Sequence, residues 1–127
     1  MTNRHVAVWM DHQEARVFHV SPEGLDESTI HAPHKHIHRH PRGPEGYKEH
    51  ADDAHQFFHE LARALDDAGE VIILGPSTAK LQFIKYVHEH ARSLEPKIVG
   101  VETVDHPTDP QLVAYARTYF KAADRMR

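Results

Sequence analysis

Near the start of the chain, six consecutive residues read His5-Val6-Ala7-Val8-Trp9-Met10, and they are almost continuously apolar. An alternating strand keeps one face in water, whereas an unbroken apolar run is typical of a strand buried on both faces. A second run, Val71-Ile72-Ile73-Leu74, is wholly apolar as well. The first run therefore predicts a buried strand, and the second predicts another short strand later in the chain.

Two further strands are predicted directly after the first run. Asp11-His12-Gln13-Glu14 is a polar turn, and residues 15–20 are rich in β-forming residues, so the first two strands suit a hairpin. A Pro-Gly turn over residues 21–24 leads to a weaker third strand at 25–31, which we expect at an edge of the sheet. An open edge invites pairing with a second copy, so a homodimer is a candidate assembly.

The middle of the chain changes from a breaker-rich segment to helical periodicity. Residues 32–48 contain these breakers: Pro33, Pro41, Gly43, Pro44 and Gly46. They predict a long exposed loop. Beyond it, apolar residues recur every three or four positions, which predicts helices over 48–67, over 77–93 and from about 108 onward. A further strand is predicted over 97–104.

The predicted helices have start signals and inner faces. Ser77 or Thr78 can cap the second helix. The residues predicted on its inner side are Leu81, Ile84, Val87 and Ala91. At the last helix, Thr108 and Gln111 can form a capping box, or Asp109 can cap with Pro110 at the first helical position.

These elements predict one α/β domain over residues 1–127, in the order β-β-β-α-β-α-β-α. Helices between the later strands imply right-handed crossovers and parallel pairing, whereas the opening hairpin is antiparallel. We therefore expect a mixed five-stranded sheet with helices packed on it.

Composition excludes several classes of protein. No apolar run approaches the roughly 20 residues that span a bilayer, and the short run after Met1 is not a signal peptide, so we expect a cytoplasmic protein without membrane contact. The absence of cysteine excludes disulfides and thiolate metal sites. The net charge of −4 argues against a protein that coats nucleic acid with its whole surface. The 14 histidines predict a function that depends on pH.

Three segments carry a resemblance to known proteins. Residues 8–18 (VWMDHQEARVF) form a strand ending in Asp, a short turn and then Ala-Arg-Val-Phe. Residues 71–80 (VIILGPSTAK) form a strand followed by a Gly-Pro-Ser turn and Lys80, and residues 101–106 (VETVDH) fit the next strand. In this order they resemble the central domain of the class-1 release factors of eukaryotes and archaea and of their relative Pelota. They also resemble small bacterial release-factor-like proteins, including those called host attachment or translational machinery proteins.

The resemblance covers nearly the whole chain and implies an RNase H-like fold and a role in translation. In the release factors, the loop after the third strand carries a Gly-Gly-Gln tripeptide that enters the peptidyl-transferase centre of the ribosome. The corresponding residues here, 34–46, read HKHIHRHPRGPEG and contain no such tripeptide. Peptide release is therefore not expected, and a binding protein is favoured over an enzyme.

The same loop is the predicted contact with RNA or the ribosome. A basic loop on an otherwise acidic domain suits local contact with phosphates, and histidine can stack on unpaired bases. The predicted contact residues are Lys35, His36, His38, Arg39, His40, Arg42 and Lys48.

A His-rich metal-binding module is the first alternative. Alternate residues of an extended chain share one face, so His34, His36, His38 and His40 could approach one ion. His55 and His59 form a second pair, four residues apart on the first predicted helix. Without cysteine, such sites would admit Zn, Ni or Cu.

A metal-dependent hydrolase at the ends of the strands is the second alternative. Ligands of open α/β sheets bind beyond the carboxyl ends of parallel strands, where RNase H-type nucleases hold two Mg²⁺ ions. The residues predicted there are Asp11, His12, Ser77, Lys80, Asp105 and His106. Against this interpretation, Asp11 can simply close the hairpin turn. The stretch from Gly75 to Lys80 is too short for a phosphate loop, so we expect a tight turn with Lys80 on the exposed side.

Overall fold

The computed structural model describes residues 5–21, 24–33 and 44–125. The helices and strands in these ranges are β1 (His5–Met10), β2 (Glu14–Ser21), β3 (Gly24–His31), α1 (Pro44–Ala64), β4 (Glu70–Gly75), α2 (Ala79–His90), β5 (Ile98–Thr103) and α3 (Asp109–Arg125). This order confirms the predicted α/β arrangement. No helix in these ranges is long and apolar enough to cross a membrane.

Within the described ranges, five strands form one mixed sheet in the order β3-β2-β1-β4-β5. β1 pairs antiparallel with β2 and parallel with β4, so Val8 lies opposite Val17 on one side and Ile73 on the other. β5 continues the parallel half, and β3 lies at the edge, as predicted. The parallel strands β1, β4 and β5 all end on the same side, which we call the carboxyl end of the sheet.

The central strand β1 is buried on both faces. Val6, Val8 and Met10 belong to a core that includes residues of α1 and α2. Ala7 and Trp9 belong to a second core, formed with residues of α3. The unbroken apolar run therefore corresponds to a strand between two helical layers, as the sequence predicts.

The first helix begins earlier than predicted. α1 starts at Pro44, so the prediction of a loop over residues 32–48 is wrong for residues 44–48. Proline at the first position of a helix loses no intrahelical hydrogen bond, and its fixed φ angle suits the helix. Pro44 therefore opens α1 instead of preventing it.

The inner face of α2 also differs from the prediction. Leu81 is 56% exposed, whereas Ala79, Phe83 and Val87 are buried. These three residues recur at intervals of four, and the large Phe83 side chain removes more apolar area from water than Leu81 would.

The predicted capping box of α3 is confirmed. The Thr108 N–H donates to Gln111 Oε1 at 2.9 Å, and the Gln111 N–H donates to Thr108 Oγ1 at 3.3 Å.

Arg16 of β2 joins the start of α3 to the sheet. Its Nη1 lies 2.9 Å from Asp109 Oδ1 and its Nε lies 3.1 Å from Glu14 Oε2. Its guanidinium also lies over the Trp9 ring, 4.8 Å from the ring centroid. Glu27 of β3 lies near Arg16 and Asp109 and adds another carboxylate to this cluster of charges. Desolvation by its neighbours and then the Asp109 carboxylate raise the pKa of Glu27, and Arg16 offsets this only in part.

Replacing Glu27 by Gln is expected to stabilise the protein at neutral pH. A carboxyl whose pKa is raised by folding holds its proton more tightly in the folded state, so its ionisation costs stability as the pH rises through that pKa. We expect a small rise in Tm for Glu27→Gln at pH 7, about 1–2 °C because the group is exposed, and none below about pH 4. Thermal unfolding at both pH values measures this. Asp26→Asn on the same strand is the control, and a fall in Tm at pH 7 contradicts the prediction.

Gly75 is required at the carboxyl end of β4. A Cβ atom built there would collide with the backbone carbonyl of Met10 on β1. We therefore expect Gly75→Ala to lower the free energy of unfolding by about 2–4 kcal/mol, since two packed central strands must move apart. Gly24→Ala is the matched control, because nothing lies within 4 Å of the added atom. Urea denaturation compares the two, and equal effects would contradict the prediction.

Candidate functional site

The carboxyl end of the sheet carries the polar residues that the sequence placed there. Asp11 follows β1, Ser77 follows β4 by two residues, and Asp105 follows β5 by two. Because these three strands are parallel neighbours in the sheet, their polar ends occur side by side. The backbones of Asp11, Ser77 and Asp105 therefore lie at the same end of the sheet, as predicted.

The Asp11 carboxylate closes its own turn. Asp11 Oδ1 accepts hydrogen bonds from the Gln13 N–H at 2.8 Å and the Glu14 N–H at 3.0 Å. The Asp11 N–H in turn donates to the Glu14 carbonyl at 3.0 Å. The alternative that Asp11 closes the β1–β2 hairpin is thus the observed one, and His12 is exposed within that turn.

Lys80 is buried, so its predicted exposed position is wrong. Only 5% of the residue is accessible, and its Nζ donates to the Ser77 carbonyl at 2.7 Å. Ala79, in the first turn of α2, is buried in the core, and the adjacent Lys80 is buried with it. Thr78 is the N-cap residue of α2, but its side chain makes no capping hydrogen bond. Lys80 instead ties down the turn between β4 and α2.

Asp105 and His106 form a pair held by the core. His106 Nδ1 lies 3.0 Å from Asp105 Oδ1. The Trp9 indole N–H donates to the Asp105 carbonyl at 2.8 Å, and the Trp9 and His106 rings are 5.1 Å apart. A buried indole needs an acceptor for its N–H, so Trp9 fixes the loop between β5 and α3.

An open pocket of about 620 Å³ lies beside this pair, between the ends of β4 and β5 and the first turns of α3. We call it the strand-end pocket. Its principal lining residues are Leu74, Val104, Asp105, His106, Gln111 and Tyr115. Burial, together with the Glu102 carboxylate and Tyr119, raises the pKa of the Tyr115 hydroxyl. Tyr115 therefore remains protonated at neutral pH and can donate a hydrogen bond.

Asp11 and Asp105, the two carboxylates predicted for a metal site, have separate surroundings. In residues 5–21, 24–33 and 44–125, no group of three or more His, Asp or Glu side chains is arranged to hold a metal ion. The Asp11 carboxylate is occupied by backbone N–H groups, and Asp105 is 93% exposed beside His106. Of the residues predicted for this site, the structure joins Asp105 to His106 and Ser77 to Lys80.

His55 and His59, the predicted i, i+4 pair of α1, each contact the neighbouring helix α2. The His55 ring lies 5.2 Å from His90 and 5.5 Å from Tyr86, both on α2. His59 Nδ1 lies 3.5 Å from the Tyr86 hydroxyl. The two histidines therefore contact the neighbouring helix, and the sequence spacing did not reveal these partners.

Most of the predicted basic loop lies outside the described residues, including His34, Lys35, His36, His38, Arg39, His40 and Arg42. The backbone of Lys48 lies within α1. The residues just before this segment are described. His31 pairs with Glu14, and the Ala32 N–H donates to the Gln13 carbonyl at 2.8 Å. The chain therefore enters the segment beside the β1–β2 turn, at the carboxyl end of the sheet.

Tyr115 and Gln111 are pocket residues that the sequence analysis did not identify. They are four residues apart and so lie on one face of α3. Gln111 was interpreted only as part of a cap, and Trp9 only as a core residue. The available signal was an aromatic residue four positions after the capping residue Gln111, in the helix that follows Asp105 and His106.

The fold resembles parts of several solved structures. Over 93% of this chain, the structure matches Archaeoglobus fulgidus Pelota with a TM-score of 0.64 and 16% identity. An archaeal translation termination factor, aRF1, matches over 98% of the chain with a TM-score of 0.60 and 15% identity. Saccharomyces cerevisiae Dom34, a translation termination-like factor involved in RNA quality control, matches over 95% with a TM-score of 0.53 and 9% identity.

The shares of those proteins that are covered are 32% of Pelota, 39% of aRF1 and 38% of Dom34. The chain thus spans well under half the length of each protein. No protein-family model and no curated protein sequence matches it. The likeness confirms the fold that the resemblance implied.

The role of Asp11 can be tested by two substitutions. Asp11→Ala removes the acceptor of two backbone N–H groups and is expected to cost about 1–2 kcal/mol of unfolding free energy. Asp11→Asn keeps an oxygen in the same place and is expected to retain most of that stability. Urea denaturation with and without Mg²⁺ measures both. If Mg²⁺ stabilised the wild type but neither variant, Asp11 would be a metal ligand instead of a turn-closing residue.

Proposed function

We propose that this chain is a translation-associated binding protein that contacts RNA, with the ribosome as its natural partner. The observation that carries the proposal is the match of nearly the whole chain to solved proteins that include a translation termination factor. Fold alone does not establish function, so the proposal also needs a suitable surface. The carboxyl end of the sheet offers one.

The contact element of the proposal is the segment over residues 34–43. It contains Lys35, Arg39 and Arg42 and no acidic residue, although the whole chain has a net charge of −4. Because the positive charge is concentrated in one short stretch, local attraction to phosphates is favoured over general adhesion to nucleic acid. The resemblance equates this connection with the Gly-Gly-Gln loop of the release factors. Without that tripeptide, we propose binding and not peptide release.

The described residues around the segment support the same surface. Ala32 anchors the chain beside the β1–β2 turn. His12, His31 and His106 are all exposed in the turn and strand ends at the carboxyl end of the sheet. Imidazole groups can donate hydrogen bonds to phosphate or stack on bases, so these exposed histidines suit contact with RNA at this end of the sheet.

The proposal predicts that three substitutions weaken binding to ribosomes. In the variant Lys35→Ala, Arg39→Ala, Arg42→Ala, we expect at least about tenfold weaker binding at low salt, because three phosphate contacts are lost. The slope of log K against log salt should become shallower by about 2–3. Cosedimentation with purified ribosomes over a salt series measures both quantities.

The matched control removes the same charge elsewhere. Arg63, Lys85 and Lys121 are exposed on helices α1, α2 and α3. Their triple substitution by Ala should leave affinity within about twofold and the salt slope unchanged. Equal losses in both variants would show non-specific attraction, and a wild type that stays in the supernatant would contradict the proposed function itself.

A further inference from the structure

We propose that the outer edge of β3, together with a groove between β3 and α3, binds an extended basic peptide of a partner protein. In the part of the chain that the structure describes, β3 pairs with β2 alone. The outer edge of such a strand presents backbone N–H and C=O groups with which an added strand can pair. This inference does not rest on the proposed function, because it uses neither residues 34–43 nor the strand-end pocket.

The groove has a volume of about 430 Å³, and we call it the β3–α3 groove. Leu25 and Glu27 of β3 line it on one side, and Val113 of α3 lines it on the other. Leu25 pairs with Val20 and Glu27 pairs with Phe18, and both partners belong to the core on the α3 side. Because paired residues of neighbouring strands share a face, Leu25 and Glu27 are on the side of the sheet where α3 packs.

The middle of the groove is acidic. Asp109 also lines it, and its carboxylate lies close enough to Glu27 to raise the pKa of that group. Arg16 contacts Asp109, but it is shared with Glu14, so three carboxylates surround one guanidinium. Arg117 lies where β2 passes into β3 and donates to two backbone carbonyls there, at 2.8 and 3.3 Å. A lysine or arginine brought beside Glu27 would therefore be attracted.

The same charges disfavour a second copy of this chain as the occupant. Asp26 and Glu27 are adjacent and exposed in β3. Antiparallel pairing along the whole of β3 would bring the acidic residues of both copies close together, and like charges on neighbouring strands destabilise a sheet. A nucleic acid is disfavoured as well, because its phosphates carry the same sign of charge as these carboxylates. An extended peptide with a positive side chain meets neither obstacle.

The spacing of Leu25 and Glu27 predicts the sequence pattern of the peptide. Alternate residues of a strand share one face and are about 6.6–7 Å apart. An added strand can thus place an apolar side chain beside Leu25, which is 41% exposed, and a lysine or arginine beside Glu27. The long stem of that basic residue also covers apolar surface, such as Val113. If the strand adds antiparallel to β3, the peptide reads basic-x-apolar from its N-terminus.

The test uses a short fluorescent peptide of alternating threonines that contains Arg-Thr-Leu. Fluorescence anisotropy at low salt gives its affinity for the full chain. A second peptide carries Glu in place of Arg, and we expect it to bind at least about tenfold more weakly, because attraction is replaced by repulsion. A third peptide is methylated on consecutive backbone nitrogens around the Arg. It should also bind at least about tenfold more weakly, because it loses donors to the β3 edge.

Substitutions then locate the binding surface. Glu27→Gln should lower the affinity for the Arg peptide about three- to fivefold, as the loss of one exposed ion pair predicts. The same substitution is expected to raise Tm at pH 7, so loss of folding would not explain weaker binding. Asp26→Asn is the matched control, because Asp26 is on the other face of β3, and it should leave the affinity within about twofold.

A second pair of variants tests the apolar contact. Leu25→Thr should weaken binding of the Arg peptide about threefold, because the leucine of the peptide loses apolar contact in the groove. Leu81→Thr removes an exposed leucine from α2 instead and should leave the affinity unchanged. Thermal unfolding checks that each variant is folded.

The outcomes decide the occupant of this edge. Equal binding of the Arg and Glu peptides overturns the inference, as does equal loss of affinity in Glu27→Gln and Asp26→Asn. A methylated peptide that binds as tightly as its parent shows that no strand is added, which also overturns it. Sedimentation equilibrium provides the last measurement. A wild-type dimer that Glu27→Gln strengthens would place a second copy at this edge and overturn the inference, whereas a monomer that binds the Arg peptide through Glu27 supports it.

Discussion

The structure depends on the parallel pairing of β1 with β4, because both strands are apolar on both faces. Their backbone groups must be hydrogen-bonded within the sheet, so β2 and β5 have to flank the pair. Each face must then be covered by helices. α1 and α2 share one face, whereas α3 is the helix that contributes to the core on the other. One helix does not cover a whole face, and the space beside the first turns of α3 becomes the strand-end pocket.

Trp9 connects this packing requirement to the candidate site. Alternation along β1 directs Val8 and Met10 toward α1 and α2, and Trp9 toward α3. The indole is 1% exposed, so its N–H needs a buried acceptor, which the Asp105 carbonyl provides. The same interaction that satisfies the core holds the loop carrying Asp105 and His106. Trp9 therefore links the core on the α3 side to the position of this loop.

The strands and their order were predictable because their apolar runs are strong and their separations are short. Helix phase was less predictable. In α2, Leu81 belongs to one apolar pattern and Phe83 to another, and the choice depends on which residue fills the space above the sheet. Because α2 turns Ala79, Phe83 and Val87 toward the sheet, Lys80 is buried and Leu81 is exposed. At the strand ends, sequence order placed Asp11 near Asp105 in topology, but the direction of each side chain depends on nearby N–H groups. The contact between His55 and His90 was also not predictable from the sequence, because only the packing of α1 on α2 brings the two rings together.

The β2–β3 hairpin decides where the chain leaves the sheet before residues 34–43. The antiparallel hairpin of β2 and β3 returns the chain to the end where β1, β4 and β5 terminate, whatever residues follow. The scaffold therefore fixes where the connection begins, and the connection's sequence decides its chemistry. In this chain residues 34–43 follow β3, and their lysine and arginines, without any acidic residue, favour attraction to phosphate.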